Sequence, residues 1–532
     1  MADQYGAFRS YARKLLSAES RRREFSPTGP TPLALVYPNS YATGMSSLGY
    51  QTVYRLLNEQ PLLKGERAFQ LEGPFAAFYH TLESQQPLNQ FRIIAFSLAY
   101  EMDYPLVLQM LKRTGIPLLA RQRTRRDPLI LMGGVAVFYN PNVMAPAADL
   151  FLIGEGEEMI PEFARAYEEH LNEGEGREEL LERLAHIEGA WVPAVHGLQP
   201  ESGRVRRRFI DIKKHPPASS VCVTPNTHLE MFMVEVGRGC GRGCRFCAAG
   251  HVYHPFRSWP LEEIITAVDR HAHPGDRIGL VGAALSDYRR LDQLCEQLLG
   301  RGHKISLSSL RADRISPMLL QSLAASDIRT VTLAPEAGTE RLRRVIHKDL
   351  DEEQILAAVD LIGRFQFRQI KLYFMIGLPT EQPDDLQGVV DLTRKAAALF
   401  CRRGSGRELR VSINTFIPKP WTPFQWAGMA TEREIRAKRR SVLEPLNRIE
   451  GVSAGRKSGR EEVLQALFSI GTVEVGEALV RAVQEEREWQ GIYGDFAGWV
   501  HRSKAPEETL PWDFIDNGLE KGRLLHGWGE AK

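Results

Sequence analysis

The run Val236-Gly237-Arg238-Gly239-Cys240-Gly241-Arg242-Gly243-Cys244-Arg245-Phe246-Cys247-Ala248-Ala249-Gly250 constrains this chain more than any other stretch. Three cysteines stand at C-x3-C-x2-C spacing in a glycine-rich loop that begins where the apolar run at residues 231–236 ends. Thiolates so close together can serve one metal centre, and their backbone positions are too cramped for disulfides among all three. The loop therefore predicts a metal site at the end of a strand. A closed zinc site wants a fourth ligand, for which His251 and His254 are the nearest candidates. An iron-sulfur cube takes one ligand per iron, so three cysteines leave one iron open for a further molecule. Spacing alone leaves both open.

Around that loop the chain alternates between short apolar runs and helical stretches. From residue 231 onward the runs fall at 231–236, 277–281, 304–307, 330–333, 369–375 and 409–416. Six such units over residues 230–430 predict an open, partial (β/α)6 barrel with its chemistry at the carboxyl ends of the strands. An earlier set, at 32–37, 92–98, 129–132 and 150–153, predicts a doubly wound, Rossmann-like domain over residues 30–175. Glycines at those strand ends would let a ligand approach the backbone closely. Residues 1–29 read as an amphipathic basic helix, and a weak membrane-surface contact through it is left open. Residues 176–229 read as a β-hairpin (190–195 with 204–212) and a linker. Residues 431–532 read as a helical cap on the barrel. The fold class is α/β, and 532 residues suit two large domains with a smaller appendage.

With Phe246 before the third cysteine, the loop reads C-x3-C-x-aromatic-C after a first barrel strand, which resembles the signature of the radical S-adenosylmethionine (SAM) superfamily. The resemblance implies a 4Fe-4S cluster on Cys240, Cys244 and Cys247. Its open iron would chelate the amino and carboxylate groups of SAM, with the neighbourhood of Phe246 against adenine. Further SAM contacts are implied at later strand ends. Ala283 and Ala284 stand where many relatives have Gly-Gly-Glu, so the backbone role survives while the carboxylate is displaced or missing. Ser309 and Arg311 would hold ribose or the SAM carboxylate, Glu336 would order SAM through its acid, and Gly377 would meet adenine through its backbone. No catalytic acid or base is singled out.

Residues 30–175 resemble the cobalamin-binding domain that precedes the radical SAM domain in many anaerobic enzymes. The likeness rests on Leu35-Val36-Tyr37-Pro38, on Gly133-Gly134 and on residues 149–157. It implies cobalamin near Thr43, Gly44, Gly133, Gly134, Gly154 and Glu155. The D-x-H-x-x-G motif that gives cobalt a histidine in many such proteins is absent, and the first loop reads Asn39-Ser40-Tyr41-Ala42-Thr43-Gly44. The lower face of the cobalt would then be water, another side chain or empty. A domain that has lost the cofactor and only shapes the substrate cavity is the alternative. The resemblance as a whole implies an enzyme that cleaves SAM and abstracts hydrogen from an unidentified substrate, with methyl transfer to follow if cobalamin is bound. A cobalamin-independent cyclisation or rearrangement is the second reading, and a non-catalytic zinc- or cluster-bearing scaffold the third. An electron donor such as flavodoxin or ferredoxin is implied as a partner. No second cysteine trio is visible, which argues against the methylthiotransferases.

Lys+Arg 68 against Asp+Glu 66 gives a net charge of +2, so no bulk field points to nucleic acid or to a membrane. The cluster Arg204, Arg206, Arg207 and Arg208 reads as a solvated face. Outside the loop, Cys222, Cys295 and Cys401 are scattered, as expected of a cytoplasmic chain in a reducing compartment. No apolar stretch reaches the ~20 residues of a membrane span, so no transmembrane segment is expected.

Overall fold

The computed structural model describes residues 2–25, 28–404, 406–455 and 459–532. The chain forms two compact units. The first comprises residues 1–232, 467–496 and 509–518, and the second residues 233–466, 497–508 and 519–532.

The first unit is built on β1 (Thr31–Tyr37), β2 (Leu63–Phe69), β3 (Ile93–Ser97), β4 (Leu129–Gly133), β5 (Leu150–Leu152) and β6 (Ala190–Trp191). They form one sheet in the order β2-β1-β3-β4-β5-β6. Pairing is parallel as far as β5, and β6 closes the edge antiparallel. Leu33, Leu35, Val36, Ile93, Ile94 and Ile130 are all 1% exposed or less, as expected of parallel strands covered on both faces. Chain order reverses between β1 and β3, and doubly wound sheets take ligands at that switch point.

β2 is the strand the sequence conceals, because Lys64, Glu66 and Arg67 interrupt its apolar pattern. Arg67 is 1% exposed, with its guanidinium 2.7 Å from both Glu19 and Glu83. Glu66 accepts from the hydroxyls of Thr81 at 2.8 Å and Ser84 at 2.5 Å. Buried charge survives in a strand when it is paired in this way.

Three expectations are corrected in this unit. The amino-terminal helix, Ala2–Ser17, spends its apolar face on the domain: Phe8 and Ala12 are fully buried, and the Phe8 ring stacks on Phe78 at 5.5 Å. That face is not left for a membrane, and no described helix is long and apolar enough to cross one. The hairpin expected at 190–212 does not form. Trp191 pairs with Phe151 of β5, while Val205–Arg206 pairs in parallel with Ile515–Asp516. The carboxyl-terminal helices are not wholly a barrel cap, because residues 467–496 belong to this first unit. There the Asn140 amide donates to the Gly471 carbonyl at 2.7 Å, and a Cβ on Gly476 would lie 2.1 Å from the Val143 carbonyl oxygen.

The second unit contains all six expected barrel strands: β7 (Phe232–Glu235), β8 (Arg277–Val281), β9 (Lys304–Ser306), β10 (Thr330–Glu336), β11 (Gln369–Ile376) and β12 (Glu408–Thr415). A seventh, β13 (Val452–Gly455), adds in parallel beside β12 where only helix was expected. β7-β8-β9 and β10-β11-β12-β13 form two sheets, and the Leu310 N–H donating to the Thr332 carbonyl at 2.9 Å joins them. On β11, Ile370, Leu372, Phe374 and Ile376 are fully buried on the side that packs under the helices. Lys371, Tyr373 and Met375 alternate with them and are half-buried on the inner face.

Candidate active site

The cysteine loop leaves the carboxyl end of β7 and is fenced by a short antiparallel ribbon in which Gly237–Arg238 pairs with Arg257–Ser258. Two glycines make its tight course feasible. Gly239 has φ +81°, and a Cβ there would lie 2.3 Å from the Tyr253 carbonyl oxygen; on Gly250 a Cβ would lie 2.4 Å from that of Arg242. Gly241, between the first two cysteines, faces open space.

All six cysteines are free thiols. Burial pushes the Cys244 thiol up to about 12, with Lys348 pulling the other way and Cys247 and Cys240 adding to the rise. Cys247 is raised by burial as well, and it too feels Cys240. The three thiols therefore lie within electrostatic reach of one another, and a cationic centre is what would make them thiolates together. Among the described residues no three His, Cys, Asp or Glu side chains converge on a single-ion position. His251 is 4% exposed and held neutral by burial, its pKa lowered to about 4, and its Nε2 is turned to the Cys244 carbonyl at 3.3 Å. That donor set suits a cube with one thiolate per iron better than a lone zinc ion.

The arginines within the loop tie it down. Arg242 donates from Nε and Nη2 to the two oxygens of Asp287, at 2.9 and 2.5 Å, beyond β8. Burial pushes the Asp287 carboxyl up, but Arg242, with Arg311 and Arg314, outweighs it and holds the acid below the usual range. Arg245 donates to the carbonyls of Arg344 at 3.1 Å and Val345 at 2.7 Å, closing the end of helix Glu340–Val345. It also reaches Glu530 at 2.6 Å.

The predicted SAM contacts are brought only partly together. Glu336 ends β10 with φ +69°, a strained conformation for a side-chain-bearing residue. Burial raises its carboxyl, Lys348 opposes that at 3.4 Å, and both residues lie within electrostatic reach of Cys247. Lys348 was not singled out from the sequence; it follows a helix with no motif of its own, and only the fold puts it here. Arg311 is engaged with Asp313 at 2.9 Å, while its backbone N–H donates to Ser286 Oγ at 3.2 Å, joining the ends of β8 and β9. Phe246 and Ala284 are half-buried, and Ala283 and Ser309 are exposed. Gly377 has φ +77°, and its N–H is already taken by the Glu381 carboxylate at 2.9 Å, which also pairs with Lys438 at 2.6 Å. Glu381 is thus a local brace for this turn.

The residues named for cobalamin, all in the first unit, mostly meet the chain's own atoms. A Cβ on Gly134 (φ +104°) would lie 2.5 Å from the Leu98 carbonyl oxygen, and on Gly154 (φ +139°) 2.4 Å from that of Arg208. On Gly44 it would strike the Phe69 ring at 2.5 Å. Glu155 accepts from the Ile210 N–H at 2.9 Å, and the Thr43 hydroxyl bonds Ser40 at 2.8 Å. The Gly133 carbonyl accepts from Leu98 N–H at 2.7 Å. Each of these residues is thus packed against, or bonded to, atoms of the chain itself. At the switch point itself, Asn39 after β1 donates to Asp103 beyond β3 at 3.0 Å.

Residues 49–193 match the model for radical SAM proteins, N-terminal, and residues 234–393 that of the radical SAM superfamily. An uncharacterised protein of Methanocaldococcus jannaschii is 27% identical over 450 residues, covering 82% of this chain and 88% of its own length. A tRNA-2-methylthio-N(6)-dimethylallyladenosine synthase of Pseudothermotoga lettingae is 25% identical over 178 residues, 31% of this chain and 40% of its own. Among solved structures, the cobalamin-dependent S-adenosylmethionine radical enzyme OxsB with aqua-cobalamin bound aligns at TM-score 0.49 and 15% identity, over 86% of this chain and 67% of that one. The two models together span more than half of the chain, the second takes in the cysteine loop at the mouth of the barrel, and the protein belongs to the radical SAM superfamily.

Proposed function

We propose that this chain binds a 4Fe-4S cluster through Cys240, Cys244 and Cys247 and uses it to cleave SAM and abstract a hydrogen atom from a substrate. The observation that carries the reading is the three thiols on one loop at the end of β7, within electrostatic reach of one another and of the Glu336–Lys348 pair. When bound, cluster and SAM supply one-electron cleavage to methionine and a 5'-deoxyadenosyl radical able to attack an unactivated C–H bond. The protein's part is positional. Arg242 and Arg245 fix the loop from two sides. Glu336 and Lys348 offer one negative and one positive group, the complement of the ammonium and carboxylate at the amino-acid end of SAM. Phe246, Ala283, Ala284, Ser309, Arg311 and Gly377 are assigned to the remaining SAM surface on the family pattern. An acidic redox protein such as flavodoxin or ferredoxin would deliver the electron.

Anaerobic reconstitution with iron and sulfide tests this reading. About four irons per chain, with a reduced-cluster resonance that changes when SAM is added, is the expected result. Iron that fails to bind, or a resonance indifferent to SAM, overturns it and leaves the scaffold reading.

Cobalamin-dependent methyl transfer is a second reading, favoured by the doubly wound sheet and its switch point between β1 and β3. Purification in hydroxocobalamin decides it: retained corrinoid supports methyl transfer, and a corrinoid-free, active enzyme favours cyclisation or rearrangement. The methylthiotransferase relatives match only 30–31% of this chain, and Cys222, Cys295 and Cys401 lie dispersed, so methylthio transfer is not proposed.

A further inference from the structure

The inner face of the barrel carries a row of charge that the site described above does not use. Thr332 on β10 stands opposite Lys371 on β11, Lys371 opposite Arg410 on β12, and Arg410 opposite Ser453 on β13. Residues in register on parallel strands share a face, and burial fixes which one: Ile370, Leu372, Leu409 and Val411 are 1% exposed or less beneath the helices. Lys371, half-buried, and Arg410, exposed to solvent, therefore share the opposite, inner face, on strands about 4.8 Å apart.

Such a layer is ordinarily filled by Val, Ile and Leu. Here it reads Thr332, Lys371, Arg410 and Ser453, and the layer above it includes Tyr373 and Ser412. Two like charges directly opposite each other on neighbouring strands are destabilising. Among the described residues neither is in an ion pair. The Lys371 ammonium lies over the Tyr373 ring at 4.8 Å. The acid one layer below, Glu408, is hydrogen-bonded by Gln369, and the acid at the mouth, Glu336, is paired with Lys348. Glu408, held by a neutral amide, still carries its charge one layer below, so the repulsive pair keeps a net positive charge on an open lumen wall, the charge and placement of an oxyanion site.

We propose that Lys371 and Arg410 anchor an anionic group, a carboxylate or a phosphate, of the substrate. The assignment of that anion to a substrate rests on the SAM-cleavage reading above; the existence of the site does not. Glu336 pairs with Phe374 of β11, three residues above Lys371. At ~3.3 Å per residue, the anchor lies about 10 Å below the level at which SAM would be held. The substrate is accordingly elongated, with its anionic end about that far from the carbon that loses hydrogen.

Thermal unfolding of the full chain in phosphate, acetate or chloride at matched ionic strength tests the site, with equilibrium dialysis of radiolabelled inorganic phosphate beside it. The wild type is expected to bind one phosphate saturably and to melt higher in phosphate than in chloride. K371M and R410M are each expected to weaken retention about tenfold or more and to lose the difference in melting, while K371R keeps most of both. Acetate acting as well as phosphate marks a carboxylate site, and phosphate acting alone marks a phosphate site. A wild type that binds neither anion, or variants that bind as the wild type does, overturns the proposal; retention without saturation, an adventitious ion only, overturns it equally. Wild-type SAM cleavage measured in the same preparation separates this failure from failure of the cleavage reading.

Discussion

Arg242, two residues beyond Cys240, grips both carboxylate oxygens of Asp287 with a two-pronged fork at 2.9 and 2.5 Å. The cysteine loop is thereby pinned to the end of β8, and Arg242 stands 4.0 Å from Asp313, the partner of Arg311. Asp287, the carboxylate beyond the second strand, restrains the loop.

Replacing Arg242 with Ala is expected to leave the fold intact and to lower iron retained after reconstitution by more than half. The stability cost should be roughly 1 kcal/mol, read from the denaturant midpoint, because the pair is partly exposed. Arg242→Lys, with the charge but not the fork, should fall between. Since Asp287 is held below the ordinary aspartate range, this contribution should be constant at neutral pH. It should be lost only as pH falls below the unfolded value near ~3.9 and through the lower folded one.

The two loop glycines that differ in clearance make a matched pair. Gly250→Ala would place a Cβ 2.4 Å from a carbonyl oxygen and should cost on the order of 1–3 kcal/mol, with loss of the cluster. Gly241→Ala meets nothing within 4 Å and should reconstitute like the wild type. Iron and sulfide content of the two variants checks this.

Glu336 combines a strained backbone with a buried acid. Glu336→Gly should relieve the positive φ, a gain of about 1 kcal/mol set against the loss of Lys348's partner, while removing the carboxylate. Glu336→Gln should weaken SAM retention about tenfold, the loss of a charge-assisted hydrogen bond. Because burial raises the Glu336 carboxyl, its ionised form costs stability at neutral pH. The advantage of Gln over Glu should therefore fade as pH falls through the folded value toward the unfolded one. Equilibrium dialysis of SAM and melts across pH measure both effects.

Truncation before residue 519 removes Glu530, which holds Arg245, and Trp528, whose ring packs edge-on to Phe424 at 6.1 Å. The truncated chain is expected to melt lower and to retain less iron. Glu530→Gln alone should change little, because that acid is exposed and Arg245 keeps its two backbone carbonyls.

The elements legible in the sequence are those whose determinants are local. Strands such as 129–133 and 369–376 announce themselves by continuous or alternating apolar residues, and the thiol trio by its spacing. β2 was hidden because its charges are satisfied from far away, Arg67 by Glu19, 48 positions earlier. Val205–Arg206 was given a hairpin partner nearby, whereas its true partner lies beyond residue 500. At Gly134 and Gly154 the spacing announces a strand end but not the close approach of the Leu98 and Arg208 backbones, which a Cβ would strike. Lys348 and the facing of Lys371 with Arg410 depend on register and on turns that no motif encodes.

The central claim is that the three thiols hold a cluster that cuts SAM. Its most direct measurement is 5'-deoxyadenosine formed anaerobically from SAM and dithionite by the reconstituted wild type and by Cys244→Ala, with circular dichroism showing equal folding. Formation by the wild type and none above background by the variant is expected. Equal formation by both, or none by a cluster-loaded wild type, would contradict it.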